Sequence, residues 1–418
     1  MQLSSYQISP TLGFLPEPDP QTELPSWQHE YFRKLDQFRH NAPRYFGTTT
    51  FRTAIDNLSQ YYVTQVEGSI GTLEVIQKQF QENPAVAKLA RLTLATLIQA
   101  YVIGSPHETK VGNICPRIPA GIAKPMVFIS EMLDVPPILS YQDYALVNWE
   151  RVDKKSPVEL GNLMVLQYLL GGLDESWFIL VHVDIERRMG KVPTAIIQGL
   201  RGVKANDIHA VVTCLMEIKD GFAAMNTSFL RMPEYCSSEI FFERVRPYIN
   251  GQKNNPALTS GVIYEGVYNE PQAFYGETGA QSSIIPTCAA ALGIVYPTDW
   301  LSKYVHEMHA YMPKGHRAFI ADVTELEKTF SIQKFVFKHH ATHPFLVDLY
   351  YLVLDGGRKF LEQHAQYAGE YIFRHSAKST PTNPHNVGTG GSDFVKTLAR
   401  HAACWNGNTL DPKSPSFE

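Results

Sequence analysis

Apolar residues recur at three- and four-residue spacing along most of this chain. Residues 88–101 show the pattern well, with Leu89, Leu92, Ala95, Leu97 and Ile98 near one face of a helix. The same period predicts helices over 160–170, 192–200, 207–229, 239–248, 299–311, 343–354 and 358–373. Strict apolar–polar alternation, the mark of a half-buried strand, is scarce. The fold class is therefore all-α. Two stretches carry no charge, 92–107 and 278–298, but threonine, glutamine, serine or proline interrupts both. A membrane span wants about 20 predominantly apolar residues, so both read as buried helices.

The breaks in periodicity give the organisation. The first 25 residues are proline-rich and polar, an extended arm. Residues 150–157 are charged and end in Pro157, which makes them the best linker. We expect a smaller, mainly helical domain over 1–165 and a large helical domain over 166–418. Residues 376–391 are rich in Ser, Thr, Pro, Asn and Gly. A loop of that length in a compact domain is commonly functional. Ser392 or Asp393 then caps a last helix through Arg400.

Composition narrows the classes. The chain has 418 residues, 44% hydrophobic, and a formal net charge of −4 with only 19% charged residues. That weak acidic balance argues against nucleic acid as a partner, which selects for a basic patch. Five scattered cysteines without a C-x-x-C pair point to reduced thiols and not to disulfides or a cysteine-rich zinc site. The first basic residue is Arg33, so a secretory n-region is missing, and a cytoplasmic location is expected.

Several residues could carry chemistry. His364 lies within the apolar stripe of 358–373, beside Phe360, Leu361, Ala368, Tyr371 and Ile372. A buried imidazole is bonded to a carbonyl or holds a metal, and a single such histidine can hold haem iron. His182 sits in the apolar run 177–185, one turn after Phe178, with the same two readings. Arg246 ends an aromatic face one turn after Phe242. There it either snorkels to solvent or binds a carboxylate in bidentate fashion. Residues 386–393 are a glycine-rich entry to a helix without the Walker lysine, closer to a mobile lid than to a phosphate loop. The clusters His339, His340, His343 and His306, His309 lack metalloprotease spacing and read as structural or surface residues.

Taken together, these segments resemble the indoleamine 2,3-dioxygenase family almost end to end. The similarity is carried by Gly13-Phe-Leu-Pro-Glu-Pro, Val135-Pro-Pro-Ile-Leu-Ser-Tyr141, Phe241-Phe-Glu-Arg-Val-Arg246 and Gly261-Val-Ile-Tyr-Glu-Gly266. The most specific pieces are Gly276-Glu-Thr-Gly-Ala-Gln-Ser-Ser283, Tyr311-Met-Pro-Lys-Gly-His-Arg317 and Gly388-Thr-Gly-Gly-Ser-Asp393. The resemblance implies a haem b enzyme, a small-molecule indole substrate, O₂ as co-substrate and N-formylkynurenine as the product from tryptophan. By the same resemblance His364 is the iron ligand. Arg246 and Thr389 meet the amino-acid end of the substrate, and Phe241, Phe242, Tyr141 and Phe178 line the indole pocket. Thr278, Gly279 and Ala280 edge the haem, and the 1–165 unit covers its distal side.

Three positions depart from the family pattern. The loop usually reads Gly-Gly-Ser-Ala-Gly, and here Glu277 introduces a carboxyl. Tyr144 stands where a cysteine is common. His182 replaces a distal serine and resembles the histidine that hydrogen-bonds the indole N–H in tryptophan 2,3-dioxygenases. These changes leave three other readings open. One is a haem enzyme of indole secondary metabolism, as in pyrrolnitrin biosynthesis. The others are a haem-binding sensor or carrier without turnover, and a helical scaffold that has lost haem.

Overall fold

The computed structural model packs helix on helix, as the periodicity predicts. It describes residues 1–24, 30–45, 50–68, 71–104 and 114–406. The tail of the first uncharged stretch, 105–107, lies outside the described residues. The first half comprises α1 (Glu30–Tyr45), α2 (Thr50–Tyr62), α3 (Thr72–Glu82), α4 (Pro84–Ile103) and α5 (Ala120–Leu133). Helix α4 starts with proline in its first turn, where the missing N–H leaves no helix bond unmade. Among the described residues it is the one helix long and apolar enough to cross a bilayer, yet 94% of its apolar window is buried in the fold. Its Arg91 is fully buried and bonds Asp143, Ser130 and the carbonyls of Pro136 and Ile138. A buried guanidinium satisfied on this many sides fixes what it touches. Here that is the π-wound turn Gln142–Leu146, and with it Tyr141.

The second half comprises α6 (Leu173–Arg188), α7 (Val192–Ala205), α8 (Ile208–Leu230), α9 (Ile284–Ala291), α10 (Trp300–His309), α11 (Lys314–Thr329), α12 (Ile332–Lys338), α13 (Phe345–Tyr371) and α14 (Phe394–Cys404). Helix α8 packs on α6, α7 and α13, and α13 packs on α14. Aspartates cap three starts: Asp207 accepts from Ala210 N–H, Asp299 from Leu301 N–H and Asp393 from Lys396 N–H. Asp393, not Ser392, is thus the cap of the last helix. Strands are minimal among the described residues. β1 (Arg117–Ile118) pairs in parallel with β4 (Ile263–Tyr264), and β2 (Glu150–Arg151) pairs antiparallel with β3 (Leu163–Met164).

Three expectations are corrected. Residues 160–170 are extended, not helical, with burial alternating at Leu163, Val165, Gln167 and Leu169. Their run of Leu, Met and Val satisfies a period of two as readily as one of 3.6. Segments 343–354 and 358–373 form one continuous helix, α13, because Gly356 and Gly357 pack against Phe222 and Trp405 and do not break it. Residues 239–248 are not regular α-helix: a π-wound turn, Phe241–Val245, separates Ser238–Ile240 from Arg246–Ile249.

Candidate functional site

Helices α6 and α13 face one another across a set of small cavities. On α6, His182 Nδ1 lies 2.7 Å from the carbonyl oxygen of Phe178, one turn earlier. A carbonyl only accepts, so Nδ1 carries the hydrogen. In the neutral ring Nε2 is then a bare acceptor. Burial lowers the His182 pKa, which favours that neutral form. On α13, His364 meets Phe229 edge-on at 5.9 Å and Phe360 at 6.4 Å between ring centroids. No hydrogen bond reaches its ring from the described residues. Burial, then the nearby His182, lowers its pKa to about 4. Both rings are surrounded by protein yet keep some accessible surface, and that surface is cavity wall.

Three cavities adjoin here, of about 120, 110 and 40 Å³. His364 and Gly279 line all three. The first includes Thr278, Ala280, Thr389 and His401; the second Phe178, His182, Phe241, Glu277 and Thr389; the third Tyr141, His182 and Phe229. A Cβ on Gly279 would stand 3.6 Å from His364 Cε1, so the 278–280 loop closes directly over the imidazole. A larger cavity of about 550 Å³ lies between the N-terminal arm, α4 and α11. None of the expected site residues lines it, and size alone does not make it the reactive centre.

The structure therefore gathers His182, His364, Phe178, Phe241, Tyr141, Thr278, Gly279, Ala280 and Thr389 around one space. It does not bring Phe242 or Arg246 into that wall. The π-wound turn points Phe241 into the cavity and Phe242 away from it. Phe242 stacks on His375 at 5.4 Å and 28°, contrary to the pocket-lining role expected of it. Arg246 lies over Phe242 at 5.7 Å and donates from Nη1 to Asn383 Oδ1 and from Nη2 to the carbonyl of Val387. It is fully buried, and its Nε finds no acceptor among the described residues. Burial lowers its pKa to about 9, so it stays charged at neutral pH. Tyr144 backs Phe178 at 6.2 Å and does not line the cavities.

Two carboxyls stand out. Glu277 lines the second cavity at 3% exposure, and burial pushes its pKa up to about 8. Glu186 was not singled out from the sequence. It sits one turn beyond His182 on α6, the spacing that could have flagged it. Its Oε1 accepts from Tyr141 Oη at 3.0 Å and Ser282 Oγ at 2.7 Å, tying two cavity walls together. Burial raises its pKa to about 7. Gln281 adds another tie, accepting from Tyr141 N–H at 2.9 Å and donating to the Gly276 carbonyl at 2.7 Å.

The donor set fits haem better than a bare ion. No group of three or more His, Cys, Asp or Glu able to hold a metal occurs among the described residues, whereas zinc needs three or four protein ligands. A single imidazole without a protein hydrogen bond suits iron already held by a macrocycle. Space is the counterweight. Ligand pockets take roughly 300 Å³ or more, and each of these three cavities is smaller, though all share His364 and Gly279.

A family model described as indoleamine 2,3-dioxygenase matches residues 2–403. The chain belongs to the indoleamine 2,3-dioxygenase family. Human indoleamine 2,3-dioxygenase 2 is 26% identical over 408 residues, covering 95% of this chain and 93% of its own. Mouse indoleamine 2,3-dioxygenase 1 is 30% identical over 344 residues, 80% of this chain and 82% of its own. A protein of the abalone Haliotis madaka named myoglobin is 26% identical over 400 residues, 95% of this chain and 96% of its own. Membership makes the chain one of a family of oxidoreductases named for dioxygenation of indoleamines.

Proposed function

We propose that this protein is a haem b-dependent dioxygenase that inserts O₂ across the indole C2=C3 bond of L-tryptophan or a close relative, giving N-formylkynurenine from tryptophan. One observation carries the reading. His182, with an acceptor nitrogen fixed by Phe178, and His364, with no hydrogen-bond partner among the described residues, line the same cavity from different helices. When bound, the haem supplies the iron and redox chemistry that both oxygen atoms require.

The chain's own residues bind, orient and exclude water. The His364 imidazole is the protein's ligand to the iron. His182 Nε2 accepts the indole N–H and so fixes which edge of the ring faces the oxygen. Phe178, Phe241 and Tyr141 flank the ring, and Thr278, Gly279 and Ala280 edge the cofactor. Arg246 takes the substrate carboxylate and Thr389 meets the amino-acid end. The 376–391 segment closes over them and keeps water out. In this reading residues 1–165 contribute Tyr141 to the cavity, where they would cover the haem, and 166–418 would hold it. The partners are an indole and O₂, not nucleic acid or a membrane, in a cytoplasmic setting.

The test is reconstitution with haem b, anaerobic reduction, then addition of L-tryptophan and O₂, with His364→Ala run in parallel. Wild type should show a Soret band and form a product 32 mass units heavier than tryptophan, the mass of one O₂. The variant should lose the Soret band. A normal haem spectrum in His364→Ala sinks the ligand assignment. The abalone relative named myoglobin favours a second reading, reversible O₂ binding without turnover. A stable oxygen complex that ignores tryptophan and forms no product supports it.

A further inference from the structure

Glu277 is the one Asp, Glu, Lys or Arg among the described residues lining the cavity shared by His182 and His364. Its backbone cannot retreat. A Cβ built on the adjacent Gly276 would lie 2.2 Å from Gly251 N, 2.5 Å from the Ile249 carbonyl oxygen and 2.6 Å from that of Thr389. The Glu277 N–H also donates to the Ile249 carbonyl at 3.1 Å. The loop is thus pressed against 249–251 and the lid, and the carboxyl is left facing the cavity.

Neither a hydrogen bond nor an ion pair reaches that carboxyl from the described residues. Burying an ionised carboxylate without a partner is costly, and such groups facing a cavity are candidates for ligand contact. The rest of the wall does not answer it. Phe178, Phe229, Met232, Phe241 and Ile249 are apolar, His182 Nε2 is itself an acceptor, Tyr367 and Tyr371 donate their hydroxyls to the Leu230 and Cys236 carbonyls, and neither Thr278 nor Thr389 bonds the carboxyl. What would complete the site is a donor cation small enough to share the space with an aromatic ring. The buried guanidinium of Arg246 does not line this cavity and is held by Asn383 and Val387. The Glu277 carboxyl lines the same cavity as Thr389, and Arg246 holds the same segment at Val387.

We propose that Glu277 is the receptor for a substrate ammonium group, making this site selective for indoles that carry a protonated amine. The inference rests on the reading of the cavity as an indole site. It gives the ammonium end of a zwitterionic amino acid a partner of its own, Glu277, distinct from whatever takes the carboxylate. The primary amine becomes a requirement set by the protein.

The experiment measures binding, not turnover. Ferric haem-loaded protein is titrated with L-tryptophan, tryptamine and indole-3-propionate, the last lacking the amine, and Kd is read from the Soret shift. Wild type should prefer the two amines. Glu277→Gln, neutral and of the same shape, should weaken L-tryptophan and tryptamine by about ten- to a hundredfold, the scale of one charged hydrogen bond. Indole-3-propionate should bind it as well as wild type does. Glu277→Asp, which keeps the charge, should recover part of the preference. An unchanged ratio of tryptophan to indole-3-propionate in Glu277→Gln overturns the ammonium assignment. So does loss of haem loading in Glu277→Gln but not in Glu277→Asp, since the carboxylate then serves the cofactor. Wild type that binds none of the three overturns the indole reading itself, and this one with it.

Discussion

Glu186 couples pH to the stability of the site through one side chain. Burial raises its pKa from 4.5 to about 7 while Tyr141 and Ser282 donate to it. The folded protein therefore holds this proton more tightly than the unfolded chain does. The stabilisation is fully present below the unfolded pKa, falls as pH rises, and is gone once pH passes the folded value. The stake is on the order of 3 kcal/mol. Glu186→Gln should match wild type near pH 4.5 and exceed it in Tm by pH 8, in thermal melts across that range. Identical pH profiles for the two proteins would show that Glu186 titrates like an exposed carboxylate. At this scale the sequence was informative about residue type and weak about direction. His364 and His182 were visible on apolar stripes, but only the Phe178 carbonyl fixes the His182 tautomer, and only the structure shows that no hydrogen bond from the described residues reaches His364. Phe241 and Phe242 are adjacent and chemically alike. Which one faces the cavity depends on a winding that side-chain identity does not encode.

That winding belongs to the elements. A period of 3.6 residues was enough to find α4, α7, α8, α10, α13 and α14, because their apolar stripes are wide, but it left α6, α11 and α12 unassigned. It was blind to the π-wound turn Phe241–Val245, which changes the angle between successive residues without changing their hydrophobicity. It also split α13 at two glycines. Glycine inside a helix normally weakens it, but Gly357 leaves room for a ring. A Cβ there would stand 2.3 Å from Cζ3 of Trp405, which is 1% exposed. Alanine at this position gains helix propensity of about 1 kcal/mol and must displace an indole that has nowhere to go. We expect the clash to win. Gly357→Ala should lower stability by about 1–3 kcal/mol, read as a fall in the urea midpoint at constant m. A midpoint that rises would mean α14 can slide away from α13 at little cost.

At the scale of the whole molecule, the site exists only because distant segments converge, and convergence is what a local reading cannot see. Tyr141 is set by Arg91 of α4 through the Gln142–Leu146 turn. The 382–389 segment is held from residues 246–251: Arg246 holds Asn383 and Val387, Asn250 donates to the Thr382 carbonyl at 3.0 Å, and Gly251 N–H donates to that of Thr389 at 3.1 Å. Resemblance placed Arg246 at the substrate and not at the lid, whereas the geometry ties it to the lid and leaves Nε free. Both roles are compatible if a substrate carboxylate adds to the guanidinium already bridging to Asn383 and Val387. Binding would then tighten the lid. Hydrogen exchange followed by mass spectrometry tests this on haem-loaded protein. Amides in 382–391 should exchange more slowly when L-tryptophan is added. Arg246→Ala forfeits two hydrogen bonds to a charged group, each worth about 1.5–3 kcal/mol. The same amides should therefore exchange at least about tenfold faster without ligand, lose the response to tryptophan, and be accompanied by a steep rise in KM. Equal exchange in variant and wild type would mean that Asn250 and Gly251 hold the lid unaided, and that Arg246 is free to serve the substrate alone.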